Sequence, residues 1–230
     1  MIIDDYEFYI NRFKTNKYES VFFSEFNPKN KNQLLLRHDV DQDCSIAYEL
    51  SIVERKLNVK STYFFLLSNN SYNLISSENI KIVNQIKNNG HKISLHFDPT
   101  IYENITDGLK KEINIFEQTF NEKVNIISYH RPPKKYLDFD NKKILNVTNT
   151  YDDKFFNKTK YFSDSRGQFN YGNPLDSDEF KKGLNIQLLT HPIWWIGDGN
   201  NVNERLKWFK KHKIDMIEKS LSDNLDFYGK

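Results

Sequence analysis

The chain has 230 residues, 38% hydrophobic and 28% charged, with 33 basic against 31 acidic side chains. That length and balance suit one domain with a substantial core, and the near-neutral charge leaves no electrostatic footprint for nucleic acid. No apolar run approaches the roughly 18–20 residues of a bilayer span, and the single Cys44 excludes an internal disulfide or a cysteine-based metal site, so any metal must be held by His, Asp or Glu.

The N-terminus, Met1-Ile2-Ile3-Asp4-Asp5, has acids where a signal peptide carries a basic segment and an apolar stretch, so a cytoplasmic location is expected. Tyr6, Tyr9 and Phe13 at helical spacing predict a first amphipathic helix, and Asn27-Pro28-Lys29-Asn30 reads as a turn. A strand follows at 34–38, opened by Leu34-Leu35-Leu36. Further strands are expected at 60–67, 91–97 and 125–129, and near 145–150, 159–163 and 184–190. Helices are expected at 45–57, with Ile46, Leu50, Val53 and Leu57 on one face, at 77–89, stopped by Gly90, and at 107–121. The last helix, 202–223, is expected to turn Leu206, Phe209, Ile217 and Leu221 inward. The alternation predicts a parallel α/β architecture, and seven strands suit an incomplete barrel better than an eight-stranded one. The domain reading is one unit over 1–230: an N-terminal helical extension (1–32), a motif-bearing barrel (33–196) and a C-terminal helix (197–230).

The chemistry-bearing residues cluster after the apolar strands, where α/β folds place their sites. Arg37-His38-Asp39-Val40-Asp41 ends the first strand. Asp39 and Asp41 point the same way on an extended chain, and two adjacent carboxylates call for a cation or a proton between them. A polar loop with Asp43 capping the next helix is the plainer reading of the same residues. In Gly90-His91-Lys92-Ile93-Ser94-Leu95-His96-Phe97-Asp98, His96 and Asp98 share a strand face and could both ligate a metal, whereas His91, just after a helix, reads as a polar surface residue. In Ser128-Tyr129-His130-Arg131-Pro132-Pro133 the proline fixes the chain and could aim the Arg131 guanidinium at a carboxylate. Asp164 lies in a polar turn after the strand at 159–163. His191 ends an apolar strand and is followed by Trp194 and Trp195, which reads either as a histidine acid over an aromatic platform for a sugar or as two core tryptophans beside a hydrogen-bonded histidine.

The ordered set Arg-His-Asp-x-Asp, Gly-His-x-Ile-x-Leu-His, His-Arg-Pro-Pro and Leu-x-His-Pro resembles the polysaccharide deacetylase family (carbohydrate esterase family 4), in particular its branch found with surface-polysaccharide assembly genes. The resemblance runs from about residue 33 to 196. It implies a distorted (β/α)7 barrel, parallel strands with outer helices, that hydrolyses an N-acetyl group on a sugar with a divalent metal. Carried over by position, Asp39 matches the catalytic base and Asp41 the metal-binding aspartate. His96 matches the first metal-binding histidine, Arg131 the arginine that holds the base and His191 the histidine acid, with Asp164 near the motif that orients that acid. Two departures stand out. Val40 separates aspartates that are usually adjacent, and Thr100 occupies the place of the second metal-binding histidine. Asp98 is then the first candidate for the third ligand and His130 the next. N and O ligands suit zinc, the default, or cobalt, nickel or iron(II). The implied partner is an acetylated sugar or glycan precursor, nucleotide- or lipid-linked, with Trp194 and Trp195 as a stacking face. The alternatives are a metal-free sugar-binding or scaffolding protein and a hydrolase of a non-sugar amide. Oligomeric state is not legible in the sequence.

Overall fold

β2 (Gln33–Val40) is buried along its whole length, as a central strand covered on both faces must be. It pairs in parallel with β3 (Thr62–Leu66) on one side and β8 (Ile186–Thr190) on the other. The computed structural model describes residues 6–132 and 144–225; Pro133 of the Arg-Pro-Pro stretch lies outside them. Beyond β3 come β4 (Lys92–Phe97), β5 (Ile126–Tyr129) and β6 (Thr148–Asn149), and beyond β8 comes β7 (Lys160–Ser163), giving the order β6-β5-β4-β3-β2-β8-β7. Each strand lies beside its neighbour in sequence, and β8 closes back on β2. That is the order of a (β/α) barrel with one open seam, between β6 and β7. The sheet is curled enough for side chains of β2 and β8 to meet the residue after β6: Arg37 Nη1 donates to Thr150 Oγ1 (2.7 Å) and Gln187 Nε2 to the Thr150 carbonyl (3.1 Å). The seven strands expected from the sequence are present. The two-residue β1 (Glu19–Ser20), paired with the start of β2, has too short a pattern to be read.

The helices form where caps and apolar faces agree. Asp43 caps α2 (Cys44–Lys56) through the Ser45 and Ile46 amides. Ser76 caps α3 (Ser77–Asn88), and Gly90 leaves it in the left-handed region at φ 96°. α4 (Ile105–Phe120) buries Leu109, Phe116 and Phe120. α1 (Tyr6–Thr15) lays Tyr6, Tyr9, Ile10 and Phe13 on the outer face, beside Leu34, Leu36, Ile186 and Leu188. Val21, Phe23 and Phe26 do something different. With Leu35, Phe64 and Phe155 they form a separate cluster that plugs the barrel below the polar residues of the site. Deleting one such ring costs about 3–5 kcal/mol.

Two expectations fail here. α5 (Asp153–Phe156) and α6 (Asp178–Lys181) are single turns, and α7 (Val202–Asn224) buries only Arg205. Leu206 and Ile217, expected inward, are 38% and 59% exposed, because the face of α7 turned to the protein carries Arg205, Trp208, Phe209, His212 and Lys213 instead. His91, expected at the surface, is buried. Its Nε2 donates to the Ser51 carbonyl (3.1 Å) and its Nδ1 stands 2.9 Å from Ser61 Oγ, at the edge of a network around the fully buried Glu54, which takes hydrogen bonds from Tyr6, His38, Ser61 and Tyr63. Among the described residues no helix is long and apolar enough to cross a membrane.

Candidate active site

The period of β2 sets the first part of the site. Leu34, Leu36 and His38 face the helices, while Leu35, Arg37 and Asp39 face the barrel interior. Arg37 is fully buried below Asp39. Its Nη1 lies 3.5 Å from Asp39 Oδ1 and donates to Ser128 Oγ (2.5 Å), which donates in turn to Asp39 Oδ2 (3.0 Å). Tyr151 stacks over the guanidinium at 5.2 Å and accepts from Nη2. Burial alone would lower the Arg37 pKa; the charge of Asp39 and the phenols around it outweigh burial and raise it, so the cation is permanent.

The second part assembles from three strand ends. His96, the next-to-last residue of β4, pairs in register with Ser128 of β5 and donates from Nδ1 to the Ser128 carbonyl (3.0 Å). That bond fixes the tautomer and leaves Nε2 as the free nitrogen, an arrangement common among metal-ligating histidines. His96 Nε2 stands 3.3 Å from Asp41 Oδ1 and 3.1 Å from His130 Nδ1, and His130 Nδ1 stands 3.5 Å from Asp41 Oδ1. Among the described residues, these three are the group whose donor atoms converge closely enough for one ion. Asp41 Oδ1 is buried and accepts no well-aligned hydrogen bond, although both imidazoles face it. Donors about 2.0–2.1 Å from a tetrahedral zinc ion lie about 3.3 Å apart, which is the spacing observed. The residues fit such an ion. Burial would raise the Asp41 pKa, but His130, His96 and His191 outweigh it and hold it well below the usual carboxylate range. Burial would lower that of His96, and Asp39 and Asp41 raise it instead.

The third part faces the second across the cleft. His191 follows β8, with Nε2 3.9 Å from Asp41 Oδ2 and Nδ1 2.6 Å from Asp164 Oδ1. Asp164 is fully buried and accepts from the His191 amide and from Trp195 Nε1 (2.7 Å) as well. Burial would lower the His191 pKa; the charge and hydrogen bond of Asp164, with Asp41 and Asp39 behind it, raise it to about 9. The imidazole is therefore a proton carrier at neutral pH. Asp39, Asp41, His96, His191 and Trp194 line one cleft of about 570 Å³.

The chain resembles solved family 4 carbohydrate esterases. A family 4 carbohydrate esterase from Bacillus anthracis superposes with a TM-score of 0.49 at 15% identity, covering 90% of this chain and 86% of the other. A variant of the peptidoglycan deacetylase PdaC from Bacillus subtilis gives 0.49 at 10% identity (83% and 87%). The chitin deacetylase of the fungal pathogen Colletotrichum lindemuthianum gives 0.47 at 12% (80% and 84%). No family model matches the sequence, and no curated protein does. At such identities the chemistry rests on the residues of the site itself.

Three sequence expectations need correction. Asp98 does not join the cluster: it sits past the end of β4 and spends its carboxylate on the Thr100 amide (2.8 Å) and hydroxyl (2.6 Å), capping the turn Pro99–Ile101. Arg131 is exposed at φ 44° and lines the cleft mouth; the cation against Asp39 is Arg37, which lies two residues earlier on the same strand face. Trp195 is no stacking platform: its ring is buried against Tyr6, Tyr9 and Phe169, and its N–H serves Asp164, while Trp194 alone reaches the cleft. Arg37 was within reach of the sequence, since a period of two puts it beneath Asp39. Ser128 was not, because its place depends on the β4–β5 register.

Proposed function

We propose that the chain is a metal-dependent hydrolase that removes an N-acetyl group from a sugar or glycan precursor. The observation that carries this reading is the convergence of Asp41, His96 and His130 between the carboxylate Asp39 and the imidazole His191. One divalent ion, zinc by its preference for such N and O ligands, would be held by those three side chains. When bound, it supplies Lewis-acid polarisation of a carbonyl and lowers the pKa of water.

The chain's own residues do the rest. Asp39 Oδ2, 3.9 Å from His96 Nε2, accepts the proton of the attacking water. Arg37 and Ser128 hold that carboxylate in place, with the buried guanidinium beside it and one hydrogen bond to each oxygen. His191, protonated and held by Asp164, gives its proton to the departing amine so that acetate and a free amino sugar result. Base and acid thus line one cleft, as a hydrolysis with one proton taken and one given requires.

The test is acetate release from N-acetylated sugars by protein loaded with zinc, cobalt, nickel or iron(II). Release that disappears on chelation and in D39N supports the reading. Metal-independent release from non-sugar amides, or sugar binding with no release under any loading, overturns it.

A further inference from the structure

The proposed chemistry uses only the inner half of the cleft. The barrel's open seam between β6 and β7 lets the cleft run outward, past Tyr151 and Tyr161, to Phe156, Asn170 and Tyr171. Four rings make a continuous wall there: Tyr161 lies 6.1 Å from Tyr151, 5.2 Å from Phe156 and 6.3 Å from Tyr171. The wall starts over the Arg37–Asp39 pair and ends at Tyr171, 68% exposed.

Arg131 and Arg166 border both halves of the cleft. Both are exposed, and among the described residues no hydrogen bond or ion pair engages either guanidinium. Both hold left-handed backbones, φ 44° and φ 63°. That region is unfavourable for a residue with a Cβ, and such outliers gather where a site needs a side chain turned in a particular direction. They follow β5 and β7, so two strained turns bring to one opening two cations that no described residue engages.

We propose that this outer cleft holds the acid group of the substrate: the acetylated sugar is a sugar phosphate or diphosphate, its phosphate gripped by Arg131 and Arg166 and its flanking ring laid on the tyrosine wall. Guanidinium forks match phosphoryl oxygens, and a phosphate has enough oxygens to occupy two forks at once, which a carboxylate does not. A neutral polysaccharide would leave both cations without a partner. The inference rests on the deacetylase reading for the acetamido end alone; anion binding is separable from it.

Calorimetric titration with N-acetylglucosamine 1-phosphate, UDP-N-acetylglucosamine, N-acetylglucosamine, glucuronic acid and chitotetraose tests it. The phosphorylated probes are expected to bind at least ten-fold more tightly than the neutral ones. R131Q and R166Q are each expected to weaken them about ten-fold, a loss of one charge-assisted contact, and to leave neutral sugars unaffected. R131G and R166G, whose backbones take positive φ without strain, should behave the same way and separate lost charge from a disturbed turn. Equal affinity for phosphorylated and neutral probes, glucuronic acid binding as tightly as the phosphates, or a phosphate preference that survives both arginine substitutions overturns the proposal. Arginine-dependent phosphate binding without acetate release from any probe leaves it standing and refutes the deacetylase. Metal-dependent release from chitotetraose with no phosphate preference does the reverse.

Discussion

His96 Nε2 lies 3.1 Å from His130 Nδ1, although 34 residues separate them. The two come together because β4 and β5 are adjacent parallel strands in a register that sets His96 opposite Ser128, two residues before His130. Parallel neighbours deliver their C-terminal residues to one edge, so a ligand that is missing at Thr100 on one strand end can be supplied by the next.

His130 is thus expected to be the third protein ligand. Wild-type protein loaded with zinc should retain about one ion per chain after dialysis, measured by elemental mass spectrometry. H130A should lose it, as should D41A, whereas D98A should keep it. Zinc retained by H130A and lost by D98A would restore the ligand set first expected from the sequence.

Replacing Arg37 should damage both stability and turnover. The guanidinium is buried with Asp39, Ser128 and Thr150 around it, and removing one partner of a buried pair leaves an uncompensated charge, at about 3–5 kcal/mol. R37M should melt well below wild type and lose kcat with little change in KM, since Arg37 acts through Asp39 and does not reach the cleft. R131Q should melt like wild type. The reverse ranking would show that Arg131 supports the base.

The dyad of His191 and Asp164 makes a prediction about pH. Asp164 raises the pKa of His191 to about 9, so the protonated acid persists through neutral pH and is lost above that value. In D164N the imidazolium loses its counter-charge and its pKa falls toward the ordinary 6.5. The alkaline limb of the kcat profile should therefore move to lower pH, with kcat down by roughly 10²-fold or more. W195F removes one donor from the same carboxylate. It should lower kcat modestly and leave KM for the sugar unchanged, while W194A, at the cleft wall, should raise KM.

Glu54 should set the acid limit of stability. It is fully buried, and its pKa falls to about 2: burial raises it, and His38, His91 and Ser61 more than offset that. A carboxylate whose folded pKa lies below its unfolded value of 4.5 contributes stability that is complete above 4.5 and lost as pH falls through about 2. The contribution is on the order of 3 kcal/mol. His91 acts in the same direction. Burial pushes its pKa down, so below about 6.5 the unfolded chain takes up a proton that the folded chain resists. Thermal melts from pH 7 to pH 2 should show steepening loss in wild type. E54Q should be less stable at pH 7 and flatter toward acid; parallel curves would remove Glu54 from this role.

The barrel was legible because its causes are local. Continuous apolar runs such as Leu34-Leu35-Leu36, short and bounded by polar residues, fit central parallel strands, and the amphipathic stretches between them fit the helices that cover such a sheet. A period of two also fixed which side of β2 carries Asp39. The sequence by itself therefore determined the strand-helix order, the strand ends where chemistry sits, and Asp41, His96, Asp164 and His191 as residues placed at those ends. Tertiary structure decided which of them meet. His130 rather than Asp98 approaches His96, because register acts between strands and a turn diverts Asp98 to its own backbone. Arg37 rather than Arg131 backs Asp39, because the barrel closes around its interior and leaves its rim to solvent. Sequence spacing measures distance along one strand, whereas a site at the mouth of a barrel is built from distances between strands.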